Sequence, residues 1–302
     1  MYLNRLKRDL FVHRAIYLMA LPVVAYYLLF HYGPMYGATI AFRQFTPSRG
    51  ILASEWIGLR HFYSFFGSHY IGRVVRNTVL INVYQLLFGF PAPIILALLL
   101  NELRSHIFKR TVQTISYMPH FISIMVVSGL IINFGSRDGV FNDLIVLFGG
   151  QRSNLLMRPE LFRSIYVSSE IWQRVGWGSI IYLAALTGVD PELYQAARID
   201  GANRWKQTLH ITLPGIMPTI TILLILQIGQ MMNVGFEKII LLYNGATYET
   251  ADVISSFVYR KGLLEFDYSY SAAVGLFNSV INFSLLIGAN AISRRVNETS
   301  LW

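Results

Sequence analysis

The sequence predicts an all-helical integral membrane protein with six transmembrane helices and both termini on the cytoplasmic side. Three observations carry that prediction. Hydrophobic residues make up 54% of the 302 residues and charged residues only 14%, against about 25% charged in an ordinary soluble domain. Six windows approach or exceed the roughly 20 apolar residues that cross a bilayer: 15–33, 77–100, 111–134, 169–188, 211–236 and 271–292. Basic clusters stand at the ends of those windows in short segments, as cytoplasmic loops require.

The first window follows "LNRLKRDLFVHR", which resembles the basic start of a signal peptide. The apolar run 15–33 is longer than a signal core and ends without a small-x-small cleavage site, so it is expected to remain as the first span. Windows one and three contain no Asp, Glu, Lys or Arg, only His31 and His120. Prolines interrupt most spans: Pro22, Pro91 with Pro93, Pro119, and Pro214 with Pro218. Each removes a backbone donor and kinks its helix, and neighbouring groups take up the freed carbonyl.

Between windows one and two, Trp56, Leu59, Phe62, Phe65 and Phe66 fall near helical spacing. They predict an amphipathic helix, lying either at the outer membrane interface or against the rim of the bundle. No repeat, low-complexity tract or flexible linker divides the chain, so 1–302 reads as one membrane domain.

Orientation rests on loop length. With the N-terminus inside, the inner segments 1–14, 101–110, 189–210 and 293–302 hold 12 of the 25 Lys and Arg. The outer segments 34–76, 135–168 and 237–270 are long enough to translocate with weak regard to charge. "RLKR" at Arg5–Arg8, "FKR" at Phe108–Arg110 and "SRR" at Ser293–Arg295 all lie near span ends.

Several chemistries are excluded. The chain has no cysteine, so neither disulfides nor thiolate metal sites can form. The net charge of +9 suits basic inner loops rather than nucleic acid. There is no phosphate-cradling G-x-x-x-x-G-K-[ST] and no H-E-x-x-H. His13, His31, His61, His69, His106, His120 and His210 are scattered, so no metal site and no catalytic residues are expected. A membrane-embedded enzyme would need a grouped acid, base or nucleophile that no span offers. Asn297-Glu298-Thr299 matches a glycosylation acceptor, but it falls on the inner side and is read as coincidence.

The segment between windows four and five is the informative one. Gly188 is expected to cap span four. Asp190-Pro191 then reads as an N-cap followed by proline at the first helical position. "ELYQAAR" continues that helix, and Asp200-Gly201 ends it because glycine adopts positive φ at low cost. "ANRWKQTL" opens a second helix leading through Leu213-Pro214 into span five. Ala196 and Ala197 leave a flat face that another backbone can approach. Such an elbow, anchored to two spans, suits docking and the transmission of rigid-body motion. An ordinary linker could be shorter and would need no glycine at a fixed place, and a passive channel would need no elbow.

"QAARIDGANRWKQTLHITLPGIMP" resembles the EAA loop of binding-protein-dependent ABC importer permeases. Ala196, Ala197, Gly201, Ile211, Leu213 and Pro214 match its pattern and spacing. "SEIWQRVGWGSIIYLAALTGVDPELYQAARIDGA", "NTVLINVYQLLFGFPAPIILALLLNEL" and "WIGLRHFYSFF" are similar, more narrowly, to the permeases of polysaccharide and oligosaccharide import. The motif's leading glutamate is Gln195 here, which exchanges a charged contact for a neutral hydrogen bond.

The resemblance implies a type I importer permease fold whose coupling loop, 189–213, receives an ATPase. The residues implied for coupling are Glu192, Tyr194, Gln195, Ala196, Ala197, Arg198, Asp200, Gly201, Ala202, Leu213 and Pro214. It further implies a bacterial cytoplasmic-membrane protein that binds no cofactor itself, with ATP and Mg held by two separate ABC ATPase subunits. A second, related permease subunit, an extracytoplasmic solute-binding protein, membrane lipid and an oligosaccharide substrate complete the expected partners. The saccharide could be acidic, such as alginate. A polyol or a phosphorylated sugar is the alternative cargo.

Candidate path residues come from the polar positions of the spans. Glu170 and Arg174 are spaced i,i+4 with the acid first, favourable for a bridge. They serve either as an interfacial pair with a snorkelling arginine or as a polar lining of the path. Trp172, Trp177, Tyr182, Tyr84 and Gln85 could stack on or bond to sugar rings, or belong to the aromatic belt. Gln227, Gln230 and Asn233 form a polar stripe on span five, with Asn278 and Asn282 on span six. These amides line either a wet path or helix–helix contacts.

Overall fold

The computed structural model describes residues 12–296 and 300–302. "RLKR" and the Asn297-Glu298-Thr299 triplet lie outside the described residues. The chain is helical almost throughout; among the described residues the only sheet is a two-stranded pair with Arg43 opposite Trp56. Four helical stretches are long and apolar enough to cross a membrane: Arg14–Phe42, Ile71–Glu102, Ile124–Leu147 and Tyr268–Arg295. A fifth is a bent pair, Arg204–Gly215 with Met217–Gly229, turned by 61°.

The differences from the six predicted windows have local causes. Window three is not one helix. His106–Tyr117 runs into a short 3₁₀ turn at Met118–Phe121 containing Pro119, and Ile122 and Ser123 are extended. Ser123 then caps Ile124–Gly135 by accepting from Val126 N. Window four sits in the longer helix Pro159–Leu186, whose Glu160, Arg163, Glu170 and Arg174 keep it out of the strongly apolar set. That helix ends at Leu186 with Thr187 as its cap, not with the glycine cap expected at Gly188. Window five bends between Gly215 and Met217, where Pro214 and Pro218 flank the break, and its helix stops at Gly229. Asn233 therefore stands in the following turn, outside the helical stripe predicted for Gln227, Gln230 and Asn233.

The chain divides into two compact units, residues 1–66 with 261–276 and residues 67–260 with 277–302. In the first, nearly every side chain from Arg14 to Tyr36 is exposed, as a lipid-bathed helix requires. Trp56 lies on the strand pair rather than on the expected amphipathic helix. Gly58, at φ +63°, breaks the run, and the helix begins only at Arg60. Arg43 Nη1 donates to Leu52 O and Ser54 O and closes this loop. Phe45 N donates to Ser269 Oγ at 2.9 Å.

The second unit holds the main core. Ile81, Val127, Phe162, Tyr166, Ile239 and Ala251 form one buried cluster, and Ile94, Ala97, Tyr182, Leu186, Val189 and Ile216 form another. Helix Pro159–Leu186 is the common wall. Gly176 lets it touch helix His106–Tyr117 so closely that a Cβ would overlap the Ser116 carbonyl. Asp252, fully buried, accepts from Arg73 Nη2 at 3.0 Å, Arg260 Nη2 at 2.8 Å and Ser256 Oγ at 2.9 Å. Burial disfavours the Arg260 charge, yet Asp252 and Tyr243 more than compensate, so its pKa is raised. Asn77 Nδ2 donates to Glu249 O and Asp252 O, and Arg163 donates to Asn77 Oδ1.

Candidate functional site: a capped elbow and a polar-lined cavity

The elbow is built by three short caps. Asp190 Oδ1 accepts from Glu192 N at 2.8 Å and starts the helix Pro191–Ile199. Asp200 leaves the helical region and Gly201 turns to φ +76°, so that Gly201 N donates to Arg198 O and Ala202 N to Ala197 O at 2.8 Å. Crossed bonds of this kind close a helix end and suit glycine at the positive-φ position. Asn203 Oδ1 then accepts from Lys206 N at 2.9 Å and starts Arg204–Gln207. The predicted helix–Gly–helix order is present; the second cap, Asn203, was not foreseen.

The elbow is tied down at its inner side. Tyr194 Oη shares a 3.0 Å hydrogen bond with Thr212 Oγ1, and Gln207 Nε2 donates to Ala202 O at 2.8 Å. Arg204 reaches Glu102 at 3.4 Å. Its outer face is open: Glu192, Gln195, Ala196, Arg198, Asp200 and Gly201 are exposed, while Tyr194, Ala197, Ala202 and Leu213 are half-buried and Pro214 is exposed. Ile199, 87% exposed, and Trp205, 70% exposed, add apolar surface that sequence reasoning missed. Their signal was an isoleucine and a tryptophan set among charges on a short polar segment.

The predicted Glu170–Arg174 bridge forms within its helix, with Nε the arginine atom that contacts the carboxylate. A third member joins it. Lys238 Nζ lies 2.9 Å from Glu170 Oε2 and 5.3 Å above the Tyr166 ring, and the lysine is only 1% exposed. Sequence spacing gave no sign of Lys238, which is 68 residues from its partner. Glu170, Arg174, Gln85, Tyr182, Gln227 and Gln230 all line one cavity of about 410 Å³. Apolar side chains from the same helices complete its wall.

The other path candidates lie elsewhere. Tyr84 and Trp172 are partly exposed and do not line that cavity. Trp177 stacks on His120 with ring centres 4.7 Å apart and planes within 1°. Asn233 Oδ1 accepts from Asn278 Nδ2 at 2.8 Å and from Asn282 Nδ2 at 3.0 Å, while Asn282 Oδ1 accepts from Met232 N. These amides bond the turn after Gly229 to the last helix. Among the described residues no group of His, Asp and Glu is arranged to hold a metal.

An exposed, capped elbow and a polar-lined cavity in a helical membrane chain accompany its membership of a class of membrane permeases. The chain belongs to the family of binding-protein-dependent transport system inner membrane components, whose model matches residues 89–298. It is a multi-pass inner-membrane protein. It is 44% identical over 300 residues to the polygalacturonan/rhamnogalacturonan transport system permease protein YteP of Bacillus subtilis (strain 168), covering 99% of this chain and 94% of that one. Protein LplB of the same organism is 43% identical over 302 residues, covering 100% and 94%. Among solved structures, a bacterial ABC transporter importing the acidic polysaccharide alginate superposes with a TM-score of 0.90 at 45% identity, covering 97% of this chain and 99% of that chain. The bacterial alginate ABC transporter in complex with an alginate pentasaccharide-bound periplasmic protein gives 0.91 at 44% identity, covering 98% and 100%. The family and fold expected from the EAA-like segment are thereby borne out.

Proposed function

We propose that this chain is a pore-forming permease subunit of an ATP-driven importer that moves oligosaccharide or polysaccharide, acidic polymers such as alginate included, across the cytoplasmic membrane by alternating access. It works as one membrane domain with six spans and both termini inside, the third and fifth spans being broken helices. The elbow 189–213 docks on a separate ATPase, which holds ATP and Mg. A second, related permease completes the pore, and an extracytoplasmic binding protein delivers the saccharide.

The observation that carries this reading is the elbow. Its backbone is fixed by Asp190, Gly201 and Asn203, and its Tyr194 is tied to Thr212 next to Leu213-Pro214, yet Ile199 and Trp205 are exposed. A stiff, anchored segment with an apolar tip transmits displacement to the bent helix pair behind it. Similarity to polysaccharide permeases supports the cargo.

The test is reconstitution with the candidate ATPase and binding protein. Saccharide-stimulated ATP hydrolysis and uptake are expected, and a Gly201→Val variant is expected to lose the attached ATPase. An ATPase that stays bound and coupled in that variant would remove the docking role.

A further inference from the structure

We propose that Arg174 is the residue of the path that reads sugar carboxylates, held in place for that purpose by Glu170 and Lys238, so that the cavity prefers uronate-containing saccharides. The assignment rests on the importer function proposed above and names its substrate class.

Charge comes first. Lys238 is 1% exposed and Glu170 14% exposed, so their pair is sheltered, while the Arg174 side chain is 69% exposed and lines the cavity. Two cations share one carboxylate, leaving one positive charge in excess. The wall around it includes Ile171, Val175, Leu223 and Leu226. An uncompensated cation beside apolar walls attracts an anion more strongly than it would in water.

Glu170 approaches Arg174 at Nε, and among the described residues neither Nη1 nor Nη2 makes a hydrogen bond. That leaves the edge of the guanidinium that grips a carboxylate with two parallel hydrogen bonds. Lys238 fixes Glu170 from the far side at 2.9 Å, so the carboxylate cannot swing to embrace both edges of the arginine. Glu170 and Lys238 are positioning residues. Gln227, also on the cavity wall and without a side-chain hydrogen bond among the described residues, is placed to meet sugar hydroxyls.

The experiment uses the assembled transporter in detergent without its binding protein, so that the delivering protein's own selectivity does not enter. Fluorescent trigalacturonate and its neutral methyl ester are titrated into wild type, Arg174→Gln and Arg174→Lys, each nucleotide-free and vanadate-trapped, and uptake into proteoliposomes is measured in parallel with the binding protein and ATP supplied. Arg174→Gln is expected to weaken trigalacturonate binding about tenfold or more, as for loss of a charged hydrogen-bonded pair, and the ester less than twofold. Arg174→Lys keeps charge without the fork and is expected to lose at least about threefold, on trigalacturonate alone. Equal losses for acid and ester, or no loss in either variant, overturn the assignment. Should Arg174→Gln fail to assemble, Arg174→Lys decides by the same comparison. Wild type that takes up no saccharide in proteoliposomes sinks the importer function itself. Wild-type uptake with unchanged selectivity in the variants sinks only the role of Arg174.

Discussion

Lys238 donates to Glu170 across 2.9 Å, joining the short helix Phe236–Leu242 to the long helix Pro159–Leu186. The lysine is almost wholly buried and has the Tyr166 ring on one side, so its charge depends on that single carboxylate. This relationship explains why Glu170, with an i,i+4 arginine of its own, is not simply a surface bridge.

Removing one partner of a buried ion pair leaves the other charge uncompensated, at about 3–5 kcal/mol. Glu170→Gln leaves the buried Lys238 without its carboxylate and is therefore expected to lower the thermal midpoint of the detergent-solubilised transporter sharply. Adding Lys238→Met to it should recover part of the loss, because the orphaned charge disappears. A single variant as stable as wild type contradicts the pairing.

Gly201 tests the elbow separately from the bundle. A Cβ there would meet nothing within 4 Å, so the only obstacle to a side chain is its φ of +76°. Non-glycine residues pay roughly 1–2 kcal/mol in that region, and asparagine less than alanine. Gly201→Ala is expected to weaken ATPase co-purification while leaving the yield of membrane-inserted protein unchanged, and Gly201→Asn to retain more. If alanine and asparagine behave alike, backbone strain is not the cause.

Gly176 tests the opposite circumstance, a glycine needed for space. Its Cβ position is occupied by the Ser116 carbonyl and the backbone beyond it. Gly176→Ala must push two helices apart, an overpacking cost of about 1–3 kcal/mol. Gly275 has open space around it, and Gly275→Ala should be neutral or stabilising by up to about 1 kcal/mol through helix propensity. Comparing the two thermal midpoints checks both statements at once.

Asp252 anchors Arg73 and Arg260 with no exposure of its own. Asp252→Asn keeps the shape but removes the charge that raises the Arg260 pKa, so a loss of about 3 kcal/mol or more is expected. Limited proteolysis between 245 and 265 is the readout; an unchanged cleavage pattern opposes the idea.

Gln195 is exposed on the elbow's outer face, where it is free to meet a partner. Gln195→Glu is expected to tighten ATPase attachment if a basic residue faces it, by the roughly 1 kcal/mol that separates a charged from a neutral hydrogen bond. ATPase coupling measured across a salt series checks this, since the gain must shrink with ionic strength.

The membrane class, the Asp190 cap and the stop at Gly201 were legible from the sequence because they depend on neighbours a few residues away. Length, apolarity and turn chemistry are local properties. The i,i+4 bridge from Glu170 to Arg174 was legible for the same reason. The break at Ile122-Ser123 was only half visible: Pro119 warned of a kink, but not that two residues would become extended. Ending span five at Gly229 escaped because the apolar run continues past it, and the turn is held by Asn278 and Asn282 from a helix some 50 residues later.

By itself the sequence determined a helical membrane chain with a capped, glycine-hinged elbow, since each feature is paid for by contacts within one or two turns. Only the tertiary structure decided that Lys238 locks Glu170, that Gly176 admits a second helix, and that Glu170, Arg174 and Gln227 share one cavity. Those outcomes require segments distant along the chain to meet, and the free energy that selects the meeting comes from burial and pairing that no local pattern encodes.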